Sequence, residues 1–361
     1  MKIVERPLAE LFGIKAPPHL TVPVKVWDDG EELGKHVPRL DPTYRFPAAL
    51  IRDFNVWSKF NLTTMLLFGP TGSGKSSFVR QLANRLGIPL YPMTMHKHTE
   101  LAEVFGYMGI GPEGTHLLDG PVTKAARAGA WLLIDEIGRA DPAIAVGLNG
   151  LKDGSFVIPT TGELIVPAEG FRAFYTDNTN LCGDDTGGYN TASVQDISVP
   201  DRVDMAIYVP YPEDSERTEL RALLDQYMDD ESLAYWLDQE GVTVETEQGN
   251  KSGADVSRDD FIDAICKVRD MVRAQSLDGG NDSPDALERP MSFRSLTRWV
   301  KYCVGFCNAA EQYKSAIHYA LARAMTNCCT PTAKVAIHAI VTSVFGIEEE
   351  LPQPDASQAT V

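Results

Sequence analysis

No apolar run in these 361 residues approaches the roughly 20 needed to span a bilayer. The first residues, Met1-Lys2-Ile3-Val4-Glu5-Arg6-Pro7, lack the apolar core of a secretory signal. Both absences set the expectation of a cytoplasmic protein with no membrane insertion. Positive charge is scarce: 33 Lys and Arg stand against 50 Asp and Glu, a net charge of -17. Binding along a phosphate backbone needs clustered basic residues, so this balance argues against nucleic acid as a partner across the whole surface. A local basic patch stays open, and the charge suits a basic partner protein. The six cysteines include no CxxC pair. Cys303 and Cys307 share a helix face by their spacing, but a metal site wants further Cys or His ligands. Small buried apolar residues in a reducing compartment is the reading preferred for them. No internal repeat is present.

What the chain does have is Gly69-Pro70-Thr71-Gly72-Ser73-Gly74-Lys75-Ser76, a match to G-x-x-x-x-G-K-[ST] at every fixed position. The apolar run Met65–Phe68 precedes it and an amphipathic stretch beginning at Ser77 follows, the strand–loop–helix context this motif requires. Glycines let backbone N–H groups curl around an anion beside a helix N-terminus. Lys75 supplies a mobile cation for β- and γ-phosphates, and the Ser76 hydroxyl a ligand for Mg²⁺. A glycine-rich turn with a chance lysine is the rival reading, disfavoured by the context.

Around the motif, residues 1–45 read as a proline-rich arm with a short helix near Leu8–Ile14. Residues 46–210 alternate helix and strand: strands at Thr64–Phe68, Leu90–Met95, Trp131–Ile134, Phe171–Thr176 and Met205–Val209, and helices at Phe46–Lys59, Ser76–Leu86, Val122–Ala128 and Ile144–Lys152. Such alternation implies a parallel sheet covered on both faces, an α/β fold. Phe156–Pro159 and Leu164–Pro167 flank a glycine-bearing turn and predict a hairpin. Glu100–Gly120 reads as irregular. Helical periodicity dominates residues 211–347, in Ser215–Met228, Arg258–Ala274, Ser292–Phe306, Glu311–Ala324 and Thr332–Phe345. The acidic Asp229–Asp255 and the Gly/Asp/Pro-rich Ser276–Pro290 read as surface loops, and residues 348–361 as a disordered tail.

Further chemistry follows the phosphate loop. Trp131-Leu132-Leu133-Ile134-Asp135-Glu136 is a buried strand with two acids at its carboxyl end, where ligands bind in open α/β sheets. Asp135 is placed to hold Mg²⁺ and Glu136 to deprotonate an attacking water. Asn178, at the end of another strand, can set a neutral amide near the γ-phosphate or that water. A turn residue is the competing reading for it. Arg202, before the strand at Met205, can reach the γ-phosphate of a neighbouring subunit, or can serve in a surface salt bridge. Arg294, starting the helix Ser292–Phe306, can contact phosphate from the helical region, with Arg289 and Arg298 as competitors.

In this order, these elements resemble an AAA+ ATPase. Gly120-Pro121 with Asp135-Glu136-Ile137-Gly138-Arg139-Ala140 is similar to the MoxR branch, and the hairpin Phe156–Pro167 to that branch's pre-sensor insertion. Glu100–Gly120 falls where its helix-2 insertion does. Within the branch, Leu11–Ile14, His36–Pro38, Asp41–Phe46, Gly183–Tyr189 and Met291–Trp299 most resemble the small ATPase subunit of aerobic cobaltochelatase. The resemblance covers about residues 8 to 345. It implies a P-loop module of parallel αβα layers followed by an all-helical lid, assembled as a homo-oligomeric ring, a hexamer, with ATP and Mg²⁺ between subunits. It implies Gly69 to Ser77 as the nucleotide-binding loop, Ser76 and Asp135 on the metal side, Glu136 as base, Asn178 as first sensor, Arg202 as a finger acting in trans and Arg294 as second sensor. The implied partner is a chelatase or von Willebrand A-domain protein. Two features depart from the pattern: Asp177 stands where a small residue is usual, and the acidic Asp229–Asp255 stretch is unfamiliar. A nucleic-acid remodelling ATPase and a nucleotide-gated scaffold with little turnover are the alternatives.

Overall fold

The computed structural model describes residues 1–28, 30–42, 44–111, 114–179, 203–246, 249–276, 286–287, 289–307 and 315–347. The chain divides into two compact units, Met1–Tyr211 and Pro212–Val361.

The first unit opens with strand β1 (Lys2–Pro7), helix α1 (Leu8–Phe12) and strand β2 (Thr21–Val26), which pairs antiparallel with β1. Periodicity alone did not reveal β1, because all but one of its residues are exposed and it carries no alternation. The arm is fastened to the rest of the unit by polar contacts. The Trp27 indole donates to the Gly87 carbonyl at 2.6 Å, and Asn84 donates to that of Pro38 at 2.7 Å.

Helix α2 (Ala48–Lys59) leads into strand β3 (Thr64–Phe68), helix α3 (Lys75–Leu86) and strand β4 (Leu90–Thr94). Next comes a correction to the irregular reading of Glu100–Gly120. This segment is a short helix α4 (Leu101–Phe105) followed by a regular antiparallel hairpin, β5 (Gly106–Gly111) with β6 (Gly114–Asp119). Glycines hid it, since strands depleted in β-branched residues look like loops until cross-strand pairing supplies their hydrogen bonds. Helix α5 (Pro121–Ala128), strand β7 (Trp131–Asp135), helix α6 (Pro142–Leu148), the hairpin β8 (Phe156–Val157) and β9 (Leu164–Ile165), strand β10 (Arg172–Asp177) and strand β11 (Met205–Tyr208) complete the unit.

Five strands form one parallel sheet in the order β11-β3-β10-β7-β4. Alternate residues of each strand face opposite layers. Leu66, Leu132, Ile134, Ala173 and Tyr175 pack with α4, α5 and α6. Met65, Leu67, Trp131, Leu133 and Phe174 pack with α2 and α3, where Trp131 and Phe174 rings lie 4.8 Å apart. Burial of each such side chain stabilises the fold by about 1.5–3 kcal/mol. The two apolar layers hold the strand ends in fixed register, and the site is built on those ends.

The second unit is mostly helical: α7 (Glu213–Asp225), α8 (Asp230–Gln239), α9 (Arg258–Ala274), α10 (Phe293–Phe306), α11 (Ala316–Ala324) and α12 (Pro331–Phe345), with a hairpin of β12 (Thr243–Thr246) and β13 (Gly249–Ser252). The expected surface loop at Asp229–Asp255 is therefore corrected to a helix and a hairpin. Leu233, Trp236 and Leu237 of α8 are core residues. Its acids lie where a helix start favours them: Asp229 caps the Ser232 amide at 2.8 Å, and Asp230 and Glu231 occupy the first turn. Two polar clusters are buried in this core. Glu216 accepts from Arg269 at 3.1 Å and from Arg273 at 2.8 Å, and Arg273 also donates to the Met291 carbonyl at 2.9 Å. His318 and His338 meet at 2.8 Å through their Nδ1 atoms. No helix among the described residues is long and apolar enough to cross a membrane.

Candidate nucleotide site

The phosphate loop runs from the end of β3 into the first turn of α3. Gly74 takes φ +92 at the N-cap of α3, a backbone that L side chains rarely adopt, and so lets the loop amides turn inward before the helix begins. The side chain of Lys75 is drawn back over the loop. Its Nζ donates to the carbonyls of Gly69 at 2.7 Å and Pro70 at 2.9 Å, and to Asn178 Oδ1 at 3.1 Å. Ser77 is exposed on the first turn of α3. At the far side of the loop the Tyr211 hydroxyl donates to the Thr71 carbonyl at 3.0 Å.

The acids of β7 sit beside it because β10 lies between β3 and β7. Ser76 Oγ donates to Asp135 Oδ1 at 2.5 Å, and Thr176 Oγ1 donates to the same oxygen at 2.8 Å. Arg80, one helical turn beyond Ser76, brings a guanidinium nitrogen 3.7 Å from Asp135 Oδ2. Glu136 has left the strand. Its φ of 59 and ψ of 45 put a non-glycine residue in the left-handed region, a strain concentrated at functional turns. That turn aims the Glu136 carboxylate at Arg139, at 2.9 Å. Asp177 ends β10 almost fully buried and accepts hydrogen bonds from the Gly138 and Thr179 amides.

Lys75, Ser76, Asp135 and Asn178 are thus brought into one cluster, with Glu136 one residue away. Arg202 lies outside the described residues, as do Gly183–Tyr189, Cys182 and the tail from 348. Arg294 is on the first turn of α10 in the second unit. Thr176, Arg80 and Arg139 were not foreseen. Arg80 had a faint signal in its i+4 spacing from Ser76, and Arg139 in following Glu136 by three. Thr176 had none, since its contact depends on the β10–β7 register.

A triphosphate and its cation suit these residues. Ser73 Oγ is buried inside the loop without a hydrogen-bond partner in the protein, and a buried hydroxyl is rarely left so unless a ligand supplies one. The Ser76 hydroxyl and Asp135 carboxylate offer hard oxygen donors of the kind Mg²⁺ prefers. Among the described residues no group of three His, Cys, Asp or Glu converges as a metal site. Hence Mg²⁺ here would depend on Ser76, Asp135 and the substrate's own phosphates.

Residues 64–186 match the model of an AAA domain of the dynein-related subfamily. Three curated relatives are similar to part of the chain. The denitrification regulatory protein NirQ of Stutzerimonas stutzeri is 39% identical over 116 residues, 32% of this chain and 42% of that protein. Protein NorQ of Paracoccus denitrificans is 39% identical over 139 residues, 38% of this chain and 48% of that protein. Protein CbbQ of Hydrogenophilus thermoluteolus is 32% identical over 146 residues, 40% of this chain and 54% of that protein. The chain therefore spans about half the length of these relatives. Among solved structures, NtrX from Brucella abortus in complex with ADP is 16% identical with a TM-score of 0.40, over 74% of this chain and 51% of that one. Residues 64–186 therefore hold an AAA domain, carried on a parallel sheet between helices and followed by a helical C-terminal region. The similarity of part of the chain to NirQ, NorQ and CbbQ points toward ATPases of the MoxR type.

Proposed function

We propose that this chain hydrolyses ATP and uses the resulting change of state to remodel or activate a partner protein. One observation carries the reading: Lys75, Ser76, Asp135 and Asn178 converge at the carboxyl ends of three adjacent parallel strands or the loops that leave them. Lys75 and the loop amides bind the phosphates. Ser76 and Asp135 would hold Mg²⁺, which would supply positive charge against the phosphates. Glu136 takes the proton of an attacking water, and Asn178 orients that water or the γ-phosphate. Arg202 reaches the nucleotide of the next subunit in a hexameric ring, and Arg294 couples the helical region to nucleotide state. A cytoplasmic site of work follows from the need for ATP.

An activating role is in keeping with one relative, NirQ, a denitrification regulatory protein. A von Willebrand A-domain protein or a large chelatase subunit is the partner we put forward, with the chain as the ATPase subunit of a cobaltochelatase-like assembly in the second case. Phosphate release at steady state, measured with wild type and Glu136→Gln, tests the activity. The variant should bind ATP with wild-type affinity and turn it over at least 100-fold more slowly, an effect on the order expected for a lost general base. Equal turnover in the two proteins would remove Glu136 from its role. No phosphate release from wild type in the presence of its partner would leave only a nucleotide-gated scaffold.

A further inference from the structure

We infer that Asp177 is a positioning residue, a brace that ties the turn presenting Glu136 to the loop presenting Asn178. This rests on the hydrolytic reading above and adds to it a residue that touches neither phosphate nor metal.

The geometry is specific. Asp177 is 5% exposed, in a place where a carboxylate survives only if its oxygens are satisfied. Oδ1 accepts from the Gly138 amide at 3.1 Å. Oδ2 accepts from the Thr179 amide at 3.0 Å and the Thr179 hydroxyl at 2.6 Å. One oxygen therefore serves the loop after β7 and the other the loop after β10. Gly138 is two residues past Glu136, and Asn178 lies between Asp177 and Thr179. Gly138 is itself fitted to the carboxylate: a Cβ there would stand 2.6 Å from Asp177 Oδ1. Thr176 completes the brace from the preceding position, accepting from the Glu136 amide at 3.3 Å while donating to Asp135.

The consequence is mechanical. Glu136 sits on a left-handed turn that relaxes unless its surroundings hold it. Two contacts from β10 hold it: Thr176 on the Glu136 amide and Asp177 on the Gly138 amide. The same Asp177 carboxylate fixes the exit from Asn178. Base and amide are therefore kept in mutual register by the last two residues of one strand. A displacement of about 1 Å between reacting groups costs on the order of 100-fold in rate. Loss of the brace should therefore lower turnover without emptying the phosphate loop, because Lys75 keeps its bonds to the Gly69 and Pro70 carbonyls.

The test uses the full chain. Asp177→Ala should lower kcat by about 100-fold, with the affinity for a fluorescent ADP within threefold of wild type. Asp177→Asn keeps one acceptor but turns an NH₂ toward a donor, and should fall between the two. Gly138→Ala should lower kcat alone, and the double variant Gly138→Ala/Asp177→Ala should be less impaired than the product of the single effects, because both act on one contact. A kcat within twofold of wild type in Asp177→Ala, or a parallel loss of kcat, ADP affinity and Tm, would overturn the proposal, and so would strict multiplicativity in the double variant. If Asp177→Ala fails to fold, Asp177→Asn and Gly138→Ala carry the same comparison. If wild type binds ADP yet releases no phosphate, the hydrolytic reading fails, and amide hydrogen exchange then judges the brace. In Asp177→Asn the segments 136–140 and 177–179 should exchange faster together, and a change in only one or neither refutes the link.

Discussion

Lys75 Nζ stands 3.1 Å from Asn178 Oδ1, so the cation of the phosphate loop and the amide at the end of β10 already share one hydrogen bond. The two residues lie 103 positions apart in sequence and meet because β3 and β10 are adjacent strands.

Their roles separate on mutation. Lys75→Ala removes a charge-assisted contact to phosphate worth about 1.5–3 kcal/mol, and nucleotide affinity should drop by roughly tenfold to a hundredfold. Asn178→Ala should leave affinity within threefold and lower turnover, in the range of about 100-fold or more reported for loss of one preorganised polar group. Isothermal titration with ADP, set beside phosphate release, distinguishes the two. Equal losses of affinity in both variants would mean that Asn178 is a binding residue and not a sensor.

The backbone of Glu136 predicts an opposite pair of effects. Holding a non-glycine residue at φ 59 costs roughly 1–2 kcal/mol. Glu136→Gly should abolish turnover and yet raise the urea midpoint, or at worst leave it unchanged. Glu136→Val, β-branched, should lose both. A destabilised glycine variant would contradict the left-handed turn.

If Arg202 acts across a subunit boundary, its loss is complemented in mixed assemblies. Arg202→Ala and Glu136→Gln proteins, each inactive alone, should recover turnover when mixed, since some interfaces then pair an intact base with an intact guanidinium. A finger of this kind is worth about 10³–10⁵ in rate, so even sparse complementation is measurable. Mixtures as inactive as their components would remove the trans role.

The second unit should weaken in mild acid. His318 Nε2 donates to the Ile347 carbonyl, leaving Nδ1 to accept from His338 Nδ1, whose Nε2 accepts from Thr326. Such a chain closes only while at least one Nδ1 of the pair carries no proton, so the two rings cannot both be charged. Burial pushes the His338 imidazole down from 6.5 to about 3, helped by neighbouring His318 and Lys334. Burial lowers that of His318 as well. Between pH 6.5 and about 3 the unfolded chain therefore holds more protons than the folded one. Stability is full above the unfolded value and declines below it, by about 1.4 kcal/mol per pH unit for His338. Urea midpoints followed by helical circular dichroism should fall more steeply from pH 7 to pH 5 in wild type than in His338→Gln. Parallel slopes would show that the pair does not titrate on unfolding.

Much of this was legible because it is local. A phosphate loop between Phe68 and Phe78, an apolar run ending in Asp135-Glu136 and the amphipathic Arg258–Ala274 helix each declare themselves within one short stretch, 17 residues in the longest case. What was not legible depends on pairing at a distance. The strand at Lys2–Pro7 exists only through its partner at Thr21–Val26, and the hairpin after Phe105 only through its cross-strand bonds. Asp229–Asp255 misled by its acids, which mark a helix start around Leu233, Trp236 and Leu237. In the site, Ser76 and Asp135 follow from motif spacing, whereas the hold of Thr176 on Asp135 requires the register of two strands 41 residues apart.

Tyr211, whose hydroxyl bonds the Thr71 carbonyl, is also the last residue before the chain crosses into its second unit. One hydrogen bond thus joins the phosphate loop to the residue at which the first unit ends. Tyr211→Phe removes the hydroxyl and keeps the ring, so it isolates what that one bond contributes to the hold on the loop.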